Sequence, residues 1–168
     1  LAAIGQPFKG VLYAGLMMTA KGPMVLEYNV RFGDPECQPL MARLKSDLVG
    51  IMLACVRGSL APEQVVFHPE TSCCVVVAAG GYPGSYPKGM VITGIDEAEQ
   101  VEGVTVFQAG TQLKDGVTVT SGGRVLGVTA LGRDLQEARD RAYRGVSRVH
   151  FDNSYCRTDI AVKGLRRS

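Results

Sequence analysis

The feature that most limits what this chain can become is the uninterrupted apolar run Ser72 to Ala79, S-C-C-V-V-V-A-A. A strand with one wet face alternates apolar and polar residues, whereas a continuous run suits a strand covered on both faces. The next ten residues, G-G-Y-P-G-S-Y-P-K-G, hold four glycines and two prolines and specify an irregular but defined loop. Short strand candidates then follow closely: Val91–Ile95, Val104–Ala109, Val117–Thr120 and, after Gly122-Gly123, Arg124–Ala130. Such spacing predicts a small barrel-like or sandwich unit. Asp134 with Glu137 three residues on predicts a capped helix start. Leu135, Ala138, Ala142, Val146 and Val149 form its packing stripe, with Arg139, Arg141 and Arg144 expected in solvent. Phe151 to Ile160 is expected to return as a closing strand.

Ahead of that unit the pattern differs. Lys9–Thr19 and Met24–Val30 are apolar runs separated by Ala20-Lys21-Gly22-Pro23, which predicts a hairpin. Residues two apart in a strand share a face. Leu26, Tyr28 and Val30 therefore read as core, and Glu27, Asn29 and Arg31 as one polar face. A carboxylate and an amide oxygen suit a hard divalent cation, and a guanidinium suits a phosphate. Arg31 can equally pair with Asp34 or Glu36 of the G-D-P-E turn that follows. Those two carboxylates fit either a turn and helix start or recognition of a cationic or hydroxyl-bearing substrate. A lone Glu-x-Asn is also common on surface strands; Arg31 and G-D-P-E strengthen the functional reading. Pro39–Leu44 predicts a short helix. Ser46 is expected to cap the next, with Leu48, Ile51, Met52 and Cys55 as its core face and Gly58 ending it. Residues 61–71, with two prolines, read as a linker between residues 1–60 and 72–168.

Composition excludes several function classes. The net charge of +2 among 168 residues is too small to imply a nucleic-acid partner, the basic tail Lys163–Arg167 reading as a solvated terminus. No run of eighteen apolar residues occurs, so no membrane span or membrane partner is expected. The start Leu-Ala-Ala-Ile-Gly has no signal-peptide pattern and no initiator Met, which suggests a chain beginning partway through a longer one. Five cysteines without a Cys-x-x-Cys read as reduced thiols in a cytoplasmic setting, and two distant histidines make zinc improbable. Lys88 lies in the Gly/Pro loop. Arg124 follows Thr120-Ser121-Gly122-Gly123, which suits either a phosphate cradle or a tight turn. A thiol nucleophile at Cys37 lacks an adjoining histidine base.

Taken together, F-K-G-V-L-Y-A-G-L-M, V-L-E-Y-N-V-R-F-G-D-P-E-C-Q, L-K-S-D-L, G-Y-P-G-S-Y-P-K-G, V-F-Q-A-G-T, S-G-G-R-V-L-G-V-T and Y-C-R-T-D-I-A closely resemble the phosphoribosylamine–glycine ligases (glycinamide ribonucleotide synthetases). The resemblance covers nearly the whole chain in order. It implies an α+β fold: the C-terminal part of an ATP-grasp domain, an antiparallel sheet with helices, over residues 1–60, plus a small barrel-sandwich-like C-terminal domain over 72–168. It implies an ATP-dependent ligase of purine biosynthesis that joins glycine to 5-phosphoribosylamine through a glycyl phosphate. Mg²⁺ or Mn²⁺ would be held by Glu27 and Asn29, Asn29 also serving the nucleotide. Arg31 would neutralise charge on the transferred phosphoryl group. Asp34 and Glu36 would meet the amine and ribose hydroxyls; Arg124, then Lys114 or Lys88, would hold the ribose 5-phosphate. The family's nucleotide-contacting lysines lie in upstream sequence that this chain lacks, so the missing N-terminal part is the implied partner and little activity is expected of this piece alone. The alternatives are a non-catalytic nucleotide-binding remnant and a carrier module. Against the carrier, Pro87-Lys88-Gly89-Met90 does not place a lysine between two methionines.

Overall fold

Strands β1 (Tyr13–Thr19) and β2 (Gly22–Asn29) form an antiparallel two-stranded ribbon closed by Ala20-Lys21, in a computed structural model that describes residues 1–166. The chain divides into two units, one comprising residues 1–37 and 44–68, the other 38–43 and 69 onward. In the first unit, helix α2 (Leu48–Arg57) starts at Asp47, whose Oδ2 accepts from the Gly50 amide at 2.6 Å. Ser46, the cap expected from sequence, instead accepts from the Val66 amide through its Oγ at 2.8 Å. Asp47 is the residue with extended backbone beside the first free amides, which is what a cap requires. Gly58 ends the helix in the left-handed conformation, as expected. Residues 61–68 stay with this unit: the amides of Lys45 and Ser46 donate to the Val66 carbonyl, and Leu44 bridges Phe67.

The expected core faces of this unit are not buried. Leu26, Tyr28 and Val30 are 64%, 63% and 73% exposed. A two-stranded ribbon has two faces, and no third strand joins β1 and β2 among the described residues. Apolar alternation therefore marks a face that can be buried, not one that is. On α2 only Ala54 is buried, and Met52 is exposed.

The second unit carries the hydrophobic core. Its sheet has the order β4-β7-β3-β8, formed by β3 (Thr71–Ala79), β4 (Val104–Gln108), β7 (Arg124–Gly132) and β8 (Ser154–Cys156), all pairs antiparallel. A separate hairpin, β5 (Thr111–Lys114) and β6 (Val117–Thr120), completes the strands. The sheets are open, so the barrel-sandwich expectation is corrected: among the described residues β4 and β8 are the sheet's edges and the small hairpin does not close onto them. Val91–Ile95 is no strand either. It makes isolated bridges at Val91 and Thr93, and Ile95 begins α3 (Ile95–Glu99). The expected closing strand shrinks to the three residues of β8.

Helix α4 (Leu135–Val146) packs against the face of β3, β7 and β4 that carries Val75, Val77, Val128 and Val104. Ala138 and Ala142 have no exposed surface and Gly145 is buried, because small residues let the helix sit close to the sheet. A Cβ on Gly145 would stand 2.8 Å from Val128 Cγ1. Asp134 Oδ1 caps the helix by accepting from the Glu137 amide at 2.8 Å. Arg139 and Arg141 correct the solvent expectation, their side chains being only 22% and 15% exposed. Arg139 donates to the carbonyls of Ile160 and Thr158 and stacks on Tyr143; Arg141 donates to the Leu131 carbonyl and pairs with Glu137 and Glu102. Both lie on the flanks of the stripe, where a long side chain buries its stem and reaches free carbonyls. Arg144 is exposed as expected. On the opposite sheet face, Gln38 of α1 (Cys37–Arg43) lies against Gly127, and Ser72 Oγ donates to the Pro39 carbonyl at 3.1 Å. The basic tail includes Lys163 in α5 (Val162–Leu165); Arg167 lies outside the described residues.

Candidate functional site

Two clusters of polar residues form, one in each unit. In the ribbon, Gly15 stands opposite Glu27 and Tyr13 opposite Asn29. Residues directly opposite in an antiparallel pair point the same way, so Tyr13, Glu27 and Asn29 share a face. The register shifts by one between Gly15 and Leu16, leaving Leu26 unpaired. That bulge sits immediately before Glu27, where such kinks re-aim side chains. Gly15 leaves room for the Glu27 side chain at this spot, where a Cβ would stand 3.0 Å from Glu27 Cγ. Glu36, in the turn after β2, folds back over Gly33 and accepts from the Tyr13 hydroxyl at 3.1 Å. The hydrogen bond to Glu36 pushes the Tyr13 pKa up, with desolvation and the charges of Glu36 and Glu27 adding to it. The phenol therefore stays protonated and acts as a donor between the two carboxylates.

The structure thus gathers Glu27, Asn29 and Glu36 around Tyr13. Arg31 departs from the expected shared face. The strand ends at Asn29, so two-residue alternation no longer governs position 31, and its Nη1 donates to the Phe32 carbonyl at 2.7 Å. A guanidinium retains further donors beyond that bond. Asp34 is exposed in the turn, and its charge adds to desolvation in pushing the Cys37 thiol up. A thiol so raised is no thiolate nucleophile, and none of the five cysteines forms a disulfide. Tyr13 was missed in the sequence because the bulge decides its partner. Counted back from the Thr19–Gly22 turn without that shift, Tyr13 would oppose Tyr28.

Glu27 and Asn29 offer two hard oxygens. Among the described residues no group of three or more His, Cys, Asp or Glu side chains is placed to hold a metal ion. Two such oxygens suit a hard divalent cation only in the mode where one or two side chains share the ion with other ligands, rather than a closed protein cage.

The second cluster lies where the loop 80–89 meets the start of β7. Tyr82 and Tyr86 are edge-on, ring centroids 6.0 Å apart, and Lys88 Nζ is 5.9 Å from the Tyr86 centroid. The Tyr82 ring occupies the space above Gly123, where any Cβ would collide with it. Gly89 donates to the Thr120 carbonyl at 2.7 Å and Ala79 to the Gly123 carbonyl at 2.8 Å. Lys88 and Arg124, both exposed, are therefore linked through Tyr86, Tyr82 and Gly123. Lys114 is not part of this cluster. It pairs with Val117 at the far end of the β5–β6 hairpin, three residues or roughly 10 Å from Thr111, the partner of Thr120. The phosphate-cradle reading of 120–123 is also corrected. The amides of Thr120, Ser121 and Gly122 already donate to the carbonyls of Met90 and Gly110, and the glycines serve the close approach of residues 110 and 122.

The bulged ribbon lies within residues that match an ATP-grasp domain, and the open antiparallel sheet within residues that match the C domain of the same family. Residues 1–37 match the family model described as "Phosphoribosylglycinamide synthetase, ATP-grasp (A) domain" and residues 72–163 the model "Phosphoribosylglycinamide synthetase, C domain". The chain belongs to the phosphoribosylglycinamide synthetase family. It is 55% identical over 161 residues to the phosphoribosylamine–glycine ligase of Rhodopirellula baltica, covering 95% of this chain and 37% of that protein. It is 49% identical to the chloroplastic enzyme of that name from Arabidopsis thaliana, covering 99% of this chain and 32% of the relative. The crystal structure of the Thermotoga maritima phosphoribosylamine–glycine ligase superposes with a TM-score of 0.74 at 39% identity, over 88% of this chain and 36% of that one. N5-carboxyaminoimidazole ribonucleotide synthetase from the same organism shares the fold, with a TM-score of 0.62 at 15% identity, over 85% of this chain and 37% of that one. The chain thus spans a third to two fifths of the length of these curated relatives. Among the described residues no helix is long and apolar enough to cross a membrane.

Proposed function

We propose that this chain is the C-terminal part of an ATP-dependent ligase that joins glycine to 5-phosphoribosylamine, giving glycinamide ribonucleotide, ADP and phosphate. The supporting observation is identity of about half the residues across nearly the whole chain to enzymes bearing that ligase name. On this reading residues 1–60 close an ATP-grasp domain, 61–71 link it onward, and 72–168 are the C-terminal domain; the family matches to residues 1–37 and 72–163 support the two ends of that division, while residues 61–68 pack with the first unit. The remainder of the same enzyme is the implied partner, and a cytoplasmic location is part of this reading.

In the reaction, a glycine carboxylate oxygen attacks the γ-phosphorus of ATP and ADP leaves. The amine of phosphoribosylamine then attacks the acyl carbon, inorganic phosphate departs, and the nitrogen loses a proton. Bound Mg²⁺ or Mn²⁺ would neutralise phosphate charge. Glu27 and Asn29 would hold that ion from the ribbon face, and the protonated Tyr13 would keep Glu36 oriented beside it. Arg31 would supply fixed positive charge to the phosphoryl oxygens, since such transfers depend on positioning and electrostatics more than on a nucleophilic side chain. Glu36 and Asp34 would meet the amine and ribose hydroxyls. Arg124 would hold the ribose 5-phosphate with Lys88 beside its cluster; Lys114, at the far end of its hairpin, is the weakest of the three. The test is ADP release by the complete synthetase carrying this segment. It should require both glycine and phosphoribosylamine and disappear in Glu27→Ala with the fold intact. A fully active Glu27→Ala enzyme would refute the metal assignment.

A further inference from the structure

We propose that Tyr155 is the second wall of the sugar-phosphate site, packing on and hydrogen-bonding the ribose whose phosphate Arg124 holds. The inference rests on the phosphate role of Arg124 proposed above. It comes from the sheet register. Ala78 of β3 pairs with Arg124 of β7 on one side and with Tyr155 of β8 on the other, so the three side chains form a row on one face. Ala78 supplies a small floor between two large neighbours.

A bulge creates the row. Val77 pairs with Leu126 but Ala78 pairs with Arg124, so Val125 is skipped, and its side chain is fully buried. Without the skip, Val125 would face Ala78, and Arg124 would oppose Ala79 on the face that carries the apolar core. The extra residue therefore puts Arg124 on the face it shares with Tyr155, the service that bulges perform near binding sites. Tyr155 is 60% exposed there. Two strand spacings separate Arg124 and Tyr155, roughly 9.6 Å between Cα atoms, a gap that one five-carbon sugar phosphate can bridge. The nearby Arg157 is committed to Asp159 through bonds of 2.9 and 2.7 Å, which neutralises it. Chemistry matches at both ends: a planar fork for the phosphate, and a flat amphipathic ring with a hydroxyl for a sugar that has a C–H face and hydroxyls.

The experiment is a backbone-amide NMR titration of the 168-residue chain with ribose 5-phosphate and, separately, inorganic phosphate. Tyr155→Ala should weaken ribose 5-phosphate about tenfold while leaving inorganic phosphate within about twofold, and Tyr155→Phe should fall between. Arg124→Ala should lose both ligands, with the amide fingerprint of each variant confirming the fold. Loss in Arg124→Ala with none in Tyr155→Ala overturns the role of Tyr155 and keeps Arg124. Equal loss of both ligands in Tyr155→Ala also overturns it. Wild-type binding that survives Arg124→Ala, or no wild-type binding at all, overturns the phosphate reading and this inference with it.

Discussion

Replacing Gly15 by alanine tests whether the ribbon is built around the Glu27 carboxylate. The added Cβ would stand 3.0 Å from Glu27 Cγ, 3.5 Å from Tyr13 Cε1 and 3.7 Å from the Glu27 carbonyl oxygen. Only the first of these is too tight. Gly15 is not among the residues with positive φ, so alanine brings no backbone strain. Glu27 is exposed, and it can swing away at a cost of about 0.5–1.5 kcal/mol for an unfavourable rotamer. Alanine in a strand recovers about 0.4–1 kcal/mol through the unfolded state. The two nearly cancel, so stability should change by less than about 1 kcal/mol. Metal binding should not survive so well, because the carboxylate would leave the face it shares with Asn29 and Tyr13. Losing the surroundings that orient a metal ligand typically weakens affinity by about 10- to 100-fold. Mn²⁺ binding followed by water-proton relaxation, alongside a denaturant melt, separates the two effects. Wild-type Mn²⁺ affinity in Gly15→Ala would refute the role of this face; a loss of more than about 2 kcal/mol in stability would refute the freedom assigned to Glu27.

The second unit yields two further expectations. Arg133 bonds Glu137 through its amide at 2.7 Å and its guanidinium at 3.0 and 3.2 Å, holding that carboxyl at about 2. A depressed carboxyl contributes stability above its unfolded value near 4.5, lost as pH falls from there toward 2. Thermal melts should therefore show an acid-side decline in that window that is shallower in Glu137→Gln, and identical slopes would refute the pairing. Gly145→Ala places a methyl 2.8 Å from Val128 Cγ1 and 3.0 Å from Val104 Cγ1, and overpacking of that kind should cost about 1–3 kcal/mol in urea unfolding.

What the sequence determined alone was local. Asp134 with Glu137 announced α4, Gly58 stopped α2, and the apolar run from Ser72 became β3. Each signal acts on amides or side chains within a few positions, so it can be read without the rest of the chain. Glu27 and Asn29 were legible as neighbours on one face because alternation within one strand needs no partner. Tertiary structure decided the rest. Two one-residue bulges, at Leu26 and Val125, set which side chains meet across strands: they bring Tyr13 opposite Asn29 and Arg124 level with Tyr155, positions 31 residues apart in the chain. A single skipped residue reverses every face beyond it, and no local composition marked either skip. Arg139 and Arg141 looked solvated for the same reason, since the carbonyls that receive them lie in segments folded back from elsewhere. Burial of Leu26, Tyr28 and Val30 was likewise beyond the pattern: alternation states which face is apolar, and only a packed layer makes that face a core.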